Sequence, residues 1–391
     1  MKGIELGGAD ASDREQLADV LSHCFGFPKE SATLWFERAG HKNLRVLRDA
    51  SKVLGGLFTI PMGQFFGGRE VPMVGVAGVG IRPDARGRGL AKELMLRTLA
   101  EVRDTYCISV LYPATVKLYQ SVGYERAGAR FRVELAPQSL VESPRASGLS
   151  LHEVPGCPEE IRASYARAAR RGNGMLARGE YVWRRVYEPR DMVTKSFVVR
   201  RGEHCEGHVV LSNKMIPKGT TQVAVTDIAA HTKDAAQALI SLLAAYRSIA
   251  DLVGWYGAPG SALMTEIPER HHKTAITEHF MLRVLHVPQA LAARGYNPLV
   301  SAHLIVAVQD PAMPGNSGTY ALAVRDGAAT VEPSDLPAEV TLTERGLSAL
   351  YTGFQSAEEL AVRGLATGNT AALHKISALF AGPFPCMVDM F

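Results

Sequence analysis

Cysteine is scarce in this 391-residue chain: there are five, at positions 24, 107, 157, 205 and 386, with no C-x-x-C pair. A scattered, odd set argues against a disulfide framework or a zinc site and points to a reducing cytoplasm. The histidines and cysteines of the later regions show no metal-ligand spacing, so no metal is expected, and His271-His272 reads as a surface pair. No window approaches the ~20 apolar residues of a membrane helix. The start lacks a basic region followed by an apolar core, so no signal peptide is expected. A net charge of +4 is too small at this length to argue for nucleic acid, and no basic-aromatic run supports it. Both the Gly-Lys-Ser/Thr of a P-loop and the dinucleotide fingerprint are missing. What is present is ordinary for a globular chain, 47% hydrophobic and 21% charged, and long enough for two or three domains.

The stretch Val76–Ala91 stands out. Val76-Ala-Gly-Val-Gly-Ile81 is small and β-branched, which suits a buried strand. Pro83 ends it, since proline cannot donate to a ladder. Arg86-Gly-Arg-Gly89 forms a basic glycine turn, and Leu90, Leu94, Leu96, Leu99 and Val102 then recur at near-helical spacing. The first N–H groups of a helix lack internal partners and sit at its positive end. Glycines let a bulky anion approach them, and Arg86 and Arg88 add full charges. The expected guest is a phosphate or pyrophosphate; the competing reading is a loop of solvated arginines.

In chain order, Asp10-Ala-Ser-Asp13 starts a helix with Leu17, Val20, Leu21 and Cys24 on one face, ended by Phe25-Gly-Phe-Pro28. A second helical run holds Leu34, Trp35 and Phe36. Arg45–Arg48 and Val53–Ile60 read as strands around Asp49-Ala-Ser51. After the long helix, Tyr106–Leu111 reads as a buried strand. A short helix with Tyr119 follows and stops at Gly123. Pro137–Ser150 is rich in Pro, Ser and Gly and reads as a linker. Next, Gln222–Ile228, His231-Thr-Lys-Asp234 and Ala235–Arg247 repeat the strand, loop and helix order without the glycine turn. Beyond Val287 come alternating strands at Leu304–Val308 and Tyr320–Val324, a hairpin signal at Asp326-Gly327, and Val340–Thr343. Helical runs follow at 347–354, 357–365 and 371–380, giving a small α+β domain.

Arg86-x-x-Gly89-x-Ala91, between a strand and an amphipathic helix, resembles the pyrophosphate loop of the GCN5-related N-acetyltransferases (GNAT). Leu118-Tyr119-x-x-x-Gly123-Tyr124 resembles their second hallmark. The resemblance implies an α/β (α+β) fold of tandem GNAT domains, the first intact (1–138) and the second degenerate (139–285), then a sterol-carrier-protein-like α+β domain (286–391). That is the organisation of the enhanced intracellular survival (Eis) acetyltransferases. It implies a cytoplasmic, acetyl-CoA-dependent N-acetyltransferase that assembles as a homo-hexamer and acetylates small-molecule amines. The acceptors it implies are several amino groups of aminoglycosides, as in antibiotic resistance. Acetyl-CoA would meet Val79, Gly80, Ile81, Arg86, Gly87, Arg88, Gly89, Leu90 and Ala91. Thr115 stands near where many relatives carry Asn or Ser and would offer its hydroxyl. Tyr119 would be the general acid, with a hydroxyl pKa near ~10. Val79 would supply a backbone N–H to the oxyanion.

The apolar end, Pro383-Phe-Pro-Cys-Met-Val-Asp-Met-Phe391, is expected to be tucked in. By resemblance the Phe391 carboxylate is the general base. Trp35 and Phe36 would line the acceptor pocket, with core packing as the alternative. Asp389 would hold a cationic acceptor, with solvation as the alternative. Tyr124 and Cys107 read as packing. Competing functions are acetyl transfer to protein lysine or polyamines, and a non-catalytic acyl-CoA or lipid-binding protein.

Overall fold

The computed structural model describes residues 3–190, 192–216, 219–267 and 272–391; His271 lies outside them. Two compact units are present. One holds residues up to Gly128 together with Phe280–Pro383 and Phe391; the other holds Ala129–His279 with Phe384–Met390.

The first unit begins with β1 (Ile4–Gly8), α1 (Ala11–Phe25), α2 (Lys29–Ala39), β2 (Leu44–Asp49), β3 (Lys52–Phe66) and β4 (Arg69–Ile81). It continues through α3 (Leu90–Val102), β5 (Ile108–Leu111), α4 (Val116–Gln120) and the start of β6 (Glu125–Leu135). Asp10 opens α1 with a reciprocal capping box to Asp13, and Gly26 closes it in the left-handed region. The sheet runs β1-β2-β3-β4-β5, antiparallel except for the parallel β4–β5 pair. β1 is a strand the sequence did not announce. Five residues carry too little pattern, and the ladder to β2, Ile4 opposite Asp49, supplies its order.

β3 and β4 are much longer than expected from Val53–Ile60 and Val76–Ile81. Pro61 and Pro72 read locally as breakers. Yet Pro61 lies beyond the last β2–β3 pair (Leu44 with Phe58), and Pro72 just before the first β4–β5 pair (Met73 with Ile108). The missing N–H thus costs no ladder bond to β2 or β5. The hairpin tip Gly67-Gly68 has positive φ at both residues. A Cβ on Gly67 would stand 2.2 Å from the Gly295 oxygen, so side chains there would force apart the two backbones. The core of this half packs α3, through Leu90, Leu94, Met95 and Leu99, on Leu54, Leu57, Val74 and Val76, joined by Tyr119, Val122 and Tyr124.

The C-terminal part of this unit is a five-stranded sheet in the order Ala328–Pro333, Gly318–Arg325, Ala302–Gln309, Val340–Thr343, Ala366–Gly368. Asp326 and Gly327 both take positive φ, as the hairpin signal requires. Helices Glu344–Tyr351, Ala357–Val362 and Thr370–Phe380 follow the expected runs, capped by Thr343, Ser356 and Asn369.

In the second unit Leu149–Val154, Lys195–Arg201, His204–Ile216, Thr220–Ala230, Leu252–Tyr256 and the end of β6 lie side by side. The stretch read as a linker is packed instead. Leu140 is buried in this unit's core, and Ser143 N donates to Ser241 Oγ at 3.0 Å. Pro, Ser and Gly signal the absence of regular structure, not the absence of contacts.

Helix Lys233–Ala244 starts like α3 but is closed differently. Thr232 accepts a bond from Ala235 N, so the helix caps itself. His231 beside it bonds Ser164 Oγ at 2.8 Å. Burial, with help from Arg167 and Arg171, pushes its pKa down to about 3. The unfolded chain therefore takes a proton near pH ~6.5 that the folded chain refuses. Stability is expected to fall between about pH 6.5 and 3, and His231→Gln should flatten that part of the melting-temperature profile.

Candidate active site

The site grows from a fault in β4. Ala77 pairs with Phe58 and Gly80 with Gly56, so Gly78 and Val79 together face Leu57 alone. This is a β-bulge, a device that bends a strand and frees backbone groups. Gly78 adopts φ +61°, and a Cβ there would stand 2.8 Å from the Phe58 ring and 3.0 Å from Trp35. On its other edge β4 pairs with β5 only through Met73, Val74 and Gly75. Past Gly75 the parallel strands separate, and Gly78 and Val79 have no register partner in either ladder. The Val79 N–H thus stands at the mouth of an opening between two strands.

The phosphate turn lies just beyond. Gly87 (φ +76°) and Gly89 (φ +75°) have open space where a side chain would be. Gly89 is the N-cap of α3 and offers no side-chain cap. Among the described residues nothing accepts from the N–H groups of Gly87, Arg88, Gly89, Leu90 or Ala91. The two arginines differ. Arg86 is engaged, donating to Ile81 O at 3.2 Å and to Cys24 Sγ at 3.4 Å. Arg88 is exposed and makes no hydrogen bond or ion pair with the described residues, so it is the charge left for an anion. Gly80 pairs with Gly56 and receives Leu21 of α1; Ile81 is buried. These groups fit a pyrophosphate: a row of open donors, room for the anion, and a free cation.

Tyr119 sits on α4, whose N-cap Thr115 is exposed with no capping bond. Its ring packs edge-on to Tyr124 at 6.1 Å, and the Tyr124 hydroxyl bonds Ser109 Oγ at 2.6 Å on β5. Tyr124 is packing, as expected. The Tyr119 hydroxyl makes no bond to a described residue. Burial pushes its pKa up to about 12, not the expected value near 10, because the phenolate would lose its hydration. Buried Cys107 is also pushed up by burial, which removes its thiolate character.

The Phe391 ring lies against Gly75, where a Cβ would stand 2.6 Å from Cε2, and 6.2 Å from the Tyr112 ring. It therefore sits at the last parallel pair before β4 and β5 part. Nothing in the sequence pointed to Gly75 or Tyr112. Trp35 is half-buried, stacked on Phe58 at 4.4 Å beside the bulge.

Two expected acceptor residues lie elsewhere. Phe36 is 2% exposed and packs on Phe58 at 5.5 Å, on the buried face of α2, so it meets the core and not a pocket. Asp389 is neither solvated nor open to a cationic acceptor. Its carboxylate takes bonds from Arg178 Nε at 3.0 and 3.1 Å and from Tyr165 Oη at 3.2 Å, all in the interior of the second unit.

An open bulge, an uncapped glycine turn and a buried tyrosine on the next crossover thus come from one stretch of the first unit. Over 99% of its length the chain is 31% identical to a GCN5-related N-acetyltransferase from Anabaena variabilis, covering all of that chain with a TM-score of 0.93. The chain belongs to the GCN5-related N-acetyltransferases. Residues 7–127 and 174–284 match acetyltransferase (GNAT) domain families, and 287–388 match a sterol carrier protein domain. A GCN5-related N-acetyltransferase from Kribbella flavida is 28% identical, with coverage of 99% and 98% and a TM-score of 0.87. The N-acetyltransferase Eis of Mycobacterium tuberculosis is 25% identical over 91% of both chains. This GNAT enzyme is thus an Eis-like acyltransferase with two acetyltransferase domains and a carrier-like domain. GNAT acetyltransferases use acetyl-CoA.

The second GNAT domain can be compared with the first at the same two places. Its strands pair in parallel at Gln222–Ala224 with Leu252–Gly254, and three residues further stands Asp227, where the first domain has Gly78. Asp227 is held by Arg178, and this strand keeps a bulge one residue earlier, at Thr226, between Val225 opposite Leu211 and Asp227 opposite Val210. The helix start is closed by the Thr232 cap, where α3 of the first domain has no side-chain cap.

Proposed function

We propose that this enzyme transfers acetyl from acetyl-CoA directly to several amino groups of small polyamine-like molecules, aminoglycosides first among them. The bulge at Gly78-Val79 beside the uncapped α3 carries this reading. Gly80, Ile81, Arg86 and Leu90 shape the bound cofactor's path, while Gly87, Arg88, Gly89, Ala91 and Thr115 supply donors. The likeness to Eis supports the acceptor class, a hexameric assembly and a role in antibiotic resistance. Five free cysteines support a cytoplasmic setting. Domain limits at 138 and 285 are part of the same proposal.

Acetyl-CoA supplies an acyl thioester. An alkylammonium acceptor has a pKa near ~10 and must lose a proton before attack. The α-carboxylate of Phe391, held by its buried ring, is the base. The Val79 N–H donates to the acyl oxygen as charge builds there. The Tyr119 hydroxyl donates to the departing sulfur. Trp35 borders the acceptor side.

Thiol release from acetyl-CoA is the test, with a panel of aminoglycosides, polyamines and a lysine peptide. Aminoglycosides should turn over, with more than one acetyl per molecule by mass. A polar tag after Phe391 should lower kcat by at least about a hundredfold and leave acetyl-CoA affinity intact. Tight binding without thiol release from any amine would make the chain an acyl-CoA-binding protein; turnover only of the peptide would make it a protein acetyltransferase.

A further inference from the structure

The turn that carries Tyr119 is held by charges from the carrier-like domain. Glu125 directly follows Tyr124 and is 1% exposed. Its carboxylate accepts from Gln120 Nε2 at 3.3 Å, from Arg126 N at 3.0 Å and from Arg345 Nε and Nη2 at 2.9 and 2.5 Å. Arg363 Nη2 stands 3.2 Å away. Gln120 is the residue after Tyr119 and ends α4. Arg345 lies on helix Glu344–Tyr351, and Arg363 is the C-cap of Ala357–Val362. Burial works against this charge, but the hydrogen bond from Arg345 and the neighbouring cations outweigh it and hold the carboxyl below the usual range.

A second buried charge braces the same turn. Arg283, fully buried, lies flat on Gly123, where a Cβ would stand 2.5 Å from its Cζ. Its Nη2 donates to both oxygens of Asp310 at 2.7 Å, while its Nε and Nη1 have no hydrogen-bond partner among the described residues. Asp310 is fixed in turn by Asn316 Nδ2 at 3.0 Å and Met313 N at 2.9 Å. A negative and a positive side chain thus bracket residues 120–125, and each is answered by the carrier-like domain. Buried ion pairs add little net stability, so a cheaper apolar contact would serve simple adhesion. What they add is a fixed register, and the segment they fix holds Tyr119.

We propose that the carrier-like domain is a positioning element for acetyl transfer, with Arg345, Arg363 and Asp310 holding the Tyr119 turn through Glu125 and Arg283. This rests on Tyr119 as the donor to the departing sulfur. The experiment is a mutant cycle on the full chain with the best acceptor of the amine panel. Glu125→Gln and Arg345→Met should each lower kcat about ten- to a hundredfold, with acetyl-CoA Kd unchanged as the control for folding. Arg345→Lys should recover part of the loss. Added to Tyr119→Phe, Glu125→Gln should cost nothing more in kcat, because its effect passes through the missing hydroxyl. Asp310→Asn repeats the cycle from the other side of the turn. Full additivity with Tyr119→Phe, or an unchanged kcat beside a lowered urea midpoint, would overturn the proposal and leave the ion pairs as adhesion. Wild-type kcat in Tyr119→Phe alone would remove the donor assignment and the proposal with it, a result distinct from an additive cycle.

Discussion

Tyr119→Phe is expected to lower kcat by about a hundredfold or more while acetyl-CoA and acceptor affinities hold. A hundredfold is about 2.7 kcal/mol of transition-state stabilisation, the size of one well-aimed donor. The change removes one oxygen from a ring packed against Tyr124, so the core is left nearly intact. A hydroxyl whose pKa is raised to about 12 stays protonated at working pH and so keeps its proton available for a hydrogen bond. It is a poorer acid than a coenzyme thiol near ~8.5, so full proton transfer from it is uphill even to the fully formed thiolate. Its strength is therefore in stabilising the departing thiolate. The sign of the pH dependence follows. A donor works while protonated, so this group keeps its activity below its raised pKa and loses it only as pH rises through about 12. The kcat profile should show no alkaline fall from Tyr119 below about pH 10. Steady-state thiol release across pH, in both enzymes, measures this. A Phe variant with the parent kcat would return Tyr119 to packing.

The largest loss of stability is expected from Arg178→Met. Arg178 is wholly buried between Asp227 (2.6 Å) and Asp389 (2.9 Å), stacked 3.5 Å over the Tyr165 ring. Removing it leaves two carboxylates in the interior without their cation, a loss of about 3–5 kcal/mol. Melting should fall on the order of 10 °C. Adding Asp227→Asn and Asp389→Asn should recover part of this, because the uncompensated charge goes with the partner. Burial alone would raise the Asp227 carboxyl; Arg178 and His208 outweigh it and hold it well below the usual range. Its contribution is therefore present above about pH 4 and lost as pH falls through the lowered value. The variant should lose its acid-side slope along with its stability. Differential scanning calorimetry at pH 7 and about pH 2.5, either side of the unfolded carboxyl value near ~4, reads both; equal melting temperatures for Arg178→Met and the parent at pH 7 would exclude the ion-pair core.

The chemistry-bearing turns were legible because their signals are local. Glycines at positive φ, a helix start at Leu90 and a Gly stop at 123 depend on a few neighbouring residues, and each stands where its pattern put it. The hairpin at Asp326-Gly327 belongs to the same class. Phe36 and Trp35 show the limit. Adjacent aromatics on one helix point to opposite fates, Phe36 into the core and Trp35 over the bulge, and only the sheet beneath α2 decides which. The burial of Asp389 is not legible locally because its partner, Arg178, is 211 residues away.

The sequence by itself determined that there would be an open helix N-terminus with arginines, a tyrosine on the following crossover, a second copy without its glycine turn, and a small α+β domain. Tertiary structure alone decided the bulge at Gly78, the full length of β3 and β4, the burial of Asp389, and the answering of Glu125 and Arg283 by Arg345 and Asp310. The division has a physical cause. Backbone conformation and caps are governed by residues within a turn of one another. Strand register and buried charge pairing depend on segments that meet only after long loops have closed, and no local pattern carries their partner's address.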